Sequence, residues 1–237
     1  MNQQQDNFTT PPPPPPVPAT WPANDTWLGL ALLILIVLGY AFGVSQLEAT
    51  PSLSTLSIAL FEFLLLIPIA IIFLWRKVSW QALGLKRFDN KDLALGCGLL
   101  IMIYFVTIIN NLLMIALGVS VQIETITEMF NEMDSPLIFT VSTVILAPFT
   151  EELFFRGFLF KGLREKYGWV NALMFSSIIF ALFHGQLATL LPTFLMGALF
   201  AYMFQKTGSV FPGMLLHFSI NAFSTTIFLI AAQMGLL

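Results

Sequence analysis

Long apolar runs alternate with short polar joints along this chain. From Trp27 onward, stretches of about 20 apolar residues recur, the length an α-helix needs at about 1.5 Å per residue to cross a bilayer core of about 30 Å. The pattern predicts spans at 27–46, 52–75, 92–117, 136–160, 169–185, 187–205 and 210–235. Only Gly185-Gln186 separates the fifth from the sixth, so a re-entrant pair is the other reading there. The expected fold is all-α: a polytopic membrane helical bundle over 27–237 with about seven transmembrane helices, six to eight being open.

Residues 1–26 break the pattern. They carry three glutamines, Gln3 to Gln5, and six prolines, Pro11 to Pro16. Proline has no amide donor and a fixed φ, so this tract is extended and solvated. A disordered Gln/Pro-rich tail is expected, either a spacer or a docking segment for a proline-reading partner. It holds no Lys or Arg and so lacks the basic start of a cleavable signal peptide.

Composition narrows the classes. Hydrophobic types make up 57% of the 237 residues and charged types 10%, against about 45–50% and about 25% in soluble domains. An ordinary cytosolic enzyme or a disordered regulator is excluded. The net charge of −3 offers no basic field for phosphates, so no nucleic-acid partner is expected. A single cysteine, Cys97, leaves no intramolecular disulfide.

Basic residues collect in alternate loops. Arg76, Lys77, Lys86, Arg87 and Lys91 follow span two; Lys161, Arg164 and Lys166 follow span four; Lys206 precedes span seven. Only Arg156 lies inside a span, and the loop between spans three and four is acidic, with Glu124, Glu128, Glu132 and Asp134. The positive-inside rule then predicts a cytoplasmic N-terminus and a C-terminus facing out. Lipid is the expected surroundings, and a bacterial cytoplasmic membrane the expected location.

An ionisable side chain at the bilayer centre costs at least about 2.5–3.5 kcal/mol, so those present are informative. They are Glu62, Glu151, Glu152, Arg156, His184 and His217, with Asn110, Asn111 and Asn221 as neutral companions. Glu152 and Arg156 are four apart and suit an ion pair along a helix. Glu151 points about 100° away and has no local cation, the setting of a carboxylate general base. Pro148 takes the donor from the Val144 carbonyl and predicts a kink, with Thr150 as cap of a helix restarting at Glu151. His217 and Asn221 share a helical face, and a cavity shared by both histidines and Glu151 accounts for all three. Glu62, between Phe61 and Phe63, reads as a packed neutral group or as facing that cavity. Asn110 and Asn111 read as interhelical glue.

Three motifs in order, Glu151-Glu152-x-x-x-Arg156, Phe180-x-x-x-His184 and His217-x-x-x-Asn221, resemble the CPBP intramembrane proteases, which include the type II CAAX prenyl endopeptidases and bacteriocin-processing or immunity proteins. Ala147-Pro148, Phe155-Arg156-Gly157 and Gly197 agree, and the resemblance runs from about Pro136 to Asn221. It implies an intramembrane endopeptidase acting on a peptide or protein, prenylated or membrane-embedded. Glu151 would be the base on water, with Glu152 and Arg156 holding geometry and charge. His184 and Asn221 would donate to the oxyanion, and His217 would position water or shuttle a proton. The family has been described both as metalloproteases and as metal-independent glutamate proteases. Zinc or another divalent ion would draw on Glu151, His184 and His217, but the H-E-x-x-H pattern is absent. Two rivals stand beside this reading. A non-catalytic immunity or binding protein would keep the fold, and a transporter would use the buried charges as a pathway. The sequence gives no oligomeric state.

Overall fold

Each expected apolar span folds as a helix. A computed structural model of the chain describes residues 20–235 apart from 49, 120, 121 and 132. The helices are α1 (Ala23–Ser45), α2 (Pro51–Arg76), α3 (Asn90–Ala116), α4 (Gln122–Asn131), α5 (Pro136–Tyr167), α6 (Trp169–Phe183), α7 (Leu190–Thr207) and α8 (Phe211–Gln233). Their starts follow capping chemistry. The hydroxyl of Thr50 accepts from Leu53 N–H before Pro51, the carboxylate of Asp89 accepts from Lys91 N–H, and the hydroxyl of Ser135 accepts from Ile138 N–H before Pro136.

Among the described residues six helices are long and apolar enough to cross a bilayer, within the expected six to eight. The fifth expected span is α6, with 15 residues, about 22 Å at 1.5 Å each and short of a bilayer core. It stops because the chain turns at Gly185, whose φ of +68° is a left-handed conformation that favours glycine. A single turn at Leu187–Thr189 then leads into α7. The tail was expected to run to residue 26. Helix α1 already begins at Ala23. Trp21 is buried against Phe73 and Phe158, with ring centroids 4.9 and 5.4 Å away. An indole preceded by Ala and Thr has apolar area to bury, which the proline-rich stretch before it lacks. Residues 1–19, with the glutamine and proline tracts, and Glu132 lie outside the described residues.

Helix α5 is the axis of the bundle. It packs against α1, α2, α6, α7 and α8, while α3 lies outside α7 and α8. Around it the core is aromatic, with Phe154, Phe155, Phe158, Phe160, Phe180 and Phe200 buried. The outward faces are apolar too: Leu74 is 80% exposed and Phe42 69%. An apolar surface on this scale is stable only against lipid. The protein is an integral membrane protein.

The basic loops meet at one end of the bundle. There Arg76 Nη2 lies 2.9 Å from Asp25 Oδ1, tying the start of α1 to the end of α2. Lys206 pairs with Asp92 at 3.1 Å, Ser209 donates to the Lys86 carbonyl at 2.6 Å, and Lys161 donates to the Ala82 carbonyl. At the other end Asp134 accepts from the hydroxyls of Ser52 and Thr55. These hydroxyls hold its carboxyl below the usual carboxylate range. The tie is therefore present at neutral pH and is lost as pH falls through that lowered value.

Candidate active site

Helix α5 widens twice where the chemistry sits, with π-type turns at Ser142–Leu146 and Glu152–Phe160. The first ends just before Pro148, where the kink was expected. In this register the amide of Ala147 donates to the Ser142 carbonyl, five residues back. The next pair would join residue 148 to Thr143, but Pro148 has no N–H. Asn221 on α8 supplies the missing donor: its Nδ2 lies 2.8 Å from the Thr143 carbonyl oxygen. So the helix runs on without a break, and Thr150 is no cap. Its hydroxyl lies 2.9 Å from the Leu146 carbonyl and 3.0 Å from Glu62 Oε2.

The expected ion pair is present. Arg156 Nη1 lies 2.9 Å from Glu152 Oε1, and both side chains are sealed from the surface at 1% and 0% exposure. The guanidinium also donates from Nη2 to the Gly197 carbonyl at 3.3 Å and lies 4.3 Å from the ring centre of Phe180 and 5.0 Å from that of Phe200. His217 stands between the two glutamates. Its Nδ1 is 3.4 Å from Glu152 Oε1, and its Nε2 is 3.9 Å from Glu151 Oε2. The ring stacks on Phe200. Glu151 is the more open carboxylate, at 17%, and its Oε2 has no hydrogen-bond donor among the described residues.

His184 ends α6. Its Nδ1 is 2.8 Å from the Phe180 carbonyl oxygen. A carbonyl only accepts, so Nδ1 carries the proton and Nε2 is an acceptor in the neutral ring. His184, His217 and Asn221 line one cavity of about 520 Å³, together with Thr107, Thr143 and Thr193. That volume falls within the usual range of ligand sites.

His217 joins two groups: it faces both glutamates, with Arg156 behind Glu152, and it lines the cavity with His184 and Asn221, whereas Glu151, Glu152 and Arg156 do not line it, contrary to the expected shared cavity. Two contributors, Gly213 and Phe200, escaped sequence reasoning, and Glu62 was left between two readings. Gly213 lies one turn before His217, and a Cβ there would come within 2.5 Å of Glu152 Oε2, so only glycine admits the carboxylate against α8. Glu62 is buried and reaches Thr150 from α2, near enough to Glu151 for the two carboxyls to interact. Phe200 supplies the ring under His217. The glycine's spacing of four from His217 was the one available signal. A double-mutant cycle of Glu62→Gln and Thr150→Val on unfolding in detergent is expected to return a coupling of about 0.5–1.5 kcal/mol. Additive effects would show that the two groups do not bond. The asparagine pair divides: Asn110 donates to the Ala188 carbonyl at 2.7 Å, fastening α3 to the α6–α7 turn, whereas Asn111 lines the cavity.

Among the described residues no three His, Cys, Asp or Glu side chains converge as a metal-holding group. Glu151 and His217 approach each other, but the His184 Nδ1 proton is engaged by Phe180. A divalent ion would need His184 Nε2 brought in as the third ligand.

The fold and the site define a class: a polytopic helical membrane protein with carboxylates and histidines buried beside a polar cavity. Within it, residues 133–223 match the family described as "Type II CAAX prenyl endopeptidase Rce1-like". The segment holds all three motifs and agrees with the resemblance they carry. A curated protein of Bacillus subtilis (strain 168), named "Putative membrane peptidase YdiL", is 34% identical over 88 residues. The alignment covers 37% of this chain and 36% of that relative. No solved structure matches.

Proposed function

We propose that the chain is an intramembrane endopeptidase in which Glu151 activates the water that hydrolyses a peptide bond. One observation carries the reading. Of two adjacent carboxylates, Glu152 is sealed against Arg156, while Glu151 is the more exposed, pairs with no arginine or lysine among the described residues and faces His217. Glu151 takes a proton from water, the hydroxyl oxygen attacks the carbonyl carbon, and the same carboxyl returns the proton to the amine nitrogen as the C–N bond breaks. The developing oxyanion needs donors. Asn221 has two amide hydrogens and uses one on Thr143, which leaves the other. His217, whose Nδ1 faces the Glu152 carboxylate, positions the water or shuttles a proton at Nε2. His184 presents an acceptor and holds the water. No step here is assigned to a metal.

The proposed substrate is a peptide or protein segment held in the membrane. A prenylated C-terminal segment is the candidate named by the matched family's description. The proposed orientation puts the basic end and the N-terminus in the cytoplasm. The test compares peptide termini in membranes from cells making the wild type with those from cells making Glu151→Gln at equal levels. Termini confined to the wild type establish proteolysis and display the cleavage sequence. Identical termini in both favour a non-catalytic binding protein of the same fold.

A further inference from the structure

The cavity occupies one half of the bundle only. On α3 it is lined from Tyr104 to Ile115, and on α8 from His217 to Phe228. At 1.5 Å per residue these stretches run from about 21 to about 38 Å past the start of α3, and from about 9 to about 26 Å past the start of α8. Both helices start at the basic end, where Lys206 meets Asp92 and Ser209 meets Lys86. On α5 and α7, which end there, the lining comes instead from the first half: Phe139 and Thr143, then Pro192 to Phe200. Five helices (α3, α4, α5, α7 and α8) thus agree on direction, and α4, at the far end, contributes Ile123 and Ile126.

The other half is closed. Between the catalytic residues and the basic loops lie Leu83, Phe158, Leu159, Phe160, Leu163 and Phe204, each no more than 2% exposed. The turn at 80–83 is packed into this layer. Close-packed rings and leucines leave no path for water. The cavity wall, by contrast, carries Thr107, Asn111, Thr143, Thr193, Ser224 and Thr225 among its apolar residues, and polar side chains at such depth mark a water-reached space in a membrane protein.

We infer that water and substrate reach the cavity beside His217, and through it Glu151, from the end of the bundle opposite the basic loops, which the positive-inside rule makes the extracytoplasmic face. The enzyme then cuts polypeptide segments exposed on that face rather than soluble cytoplasmic chains. The words substrate and enzyme rest on the proposed function; the direction of access does not.

Thiol labelling tests the direction without turnover. In a Cys97→Ser background, Thr107→Cys and Thr193→Cys mark the cavity and Gln81→Cys marks the basic end. Spheroplasts and inside-out vesicles are treated with a membrane-impermeant maleimide. The expected result is full labelling of both cavity variants in spheroplasts and none in vesicles, with the reverse for Gln81→Cys. Cavity thiols that label from the same side as Gln81→Cys overturn the inference, as do cavity thiols that label from neither. A bundle with every side reversed overturns the extracytoplasmic assignment. The wild-type-only termini supply the second readout and are expected in extracytoplasmic segments. Termini in cytoplasmic segments overturn the substrate class even where labelling is as expected. Absence of any such termini, with labelling as expected, counts against proteolysis and leaves the direction standing.

Discussion

Glu151→Gln is expected to lower kcat by about 10²–10⁴-fold, the usual contribution of a positioned general base. Glutamine keeps the volume and an acceptor oxygen but cannot take a proton from water. The side chain is 17% exposed and faces His217, which lines the cavity, rather than lying in the packed aromatic layer, so insertion and thermal stability should stay close to wild type. The measurement is single-turnover cleavage, in detergent or bilayer discs, of a peptide spanning the site found by the terminal survey. Single turnover separates chemistry from release. A variant keeping more than about a tenth of the rate would remove Glu151 from the role of base, since each 1.36 kcal/mol of barrier is worth tenfold. Glu152→Gln makes the informative contrast. Its carboxylate is spent on Arg156 and on His217 Nδ1, so its loss acts through geometry and charge rather than through proton transfer.

Arg156→Met should be the most destabilising single change in the site, by about 3–5 kcal/mol, because it strands the carboxylate of Glu152 without a cation in a sealed pocket. The guanidinium also holds the Gly197 carbonyl, and thereby fixes α7 to α5. Unfolding in mild detergent, followed by circular dichroism, reads the effect. The double variant Glu152→Gln/Arg156→Met is expected to regain much of that stability, because a neutral pair needs no partner charge. It is not expected to regain activity, since His217 then loses the carboxylate at its Nδ1. A single variant as stable as the wild type would mean that Arg156 does not neutralise Glu152.

The legible parts of this protein are those governed by local periodicity. A spacing of four on one helix brings Glu152 to Arg156, and apolar runs of bilayer length mark the spans. The convergence of His217 on both glutamates was legible only through the three motifs taken together. What escaped depends on neighbours far along the chain. The emptiness at Gly213 matters only because Glu152 lies across from it. The bond between Glu62 and Thr150 joins helices that no spacing rule connects. Helix α6 falls short because of the backbone turn at Gly185, although apolar residues continue beyond it. The wide turns of α5 cannot be read from hydropathy, since a π-type turn and an α-turn bury the same residue types.

The bond from Asn221 to Thr143 makes two distant positions answer to each other. Pro148 leaves one carbonyl without its backbone partner, and the asparagine takes that place. Without it, a buried carbonyl would go unmet at about 1–3 kcal/mol. Any other residue at 148 would bring back an amide hydrogen and free Asn221 to turn both of its own toward the cavity. One of the asparagine's two uses is therefore conditional on the proline. Among proteins built on this plan, substitutions at the two positions should occur together more often than apart.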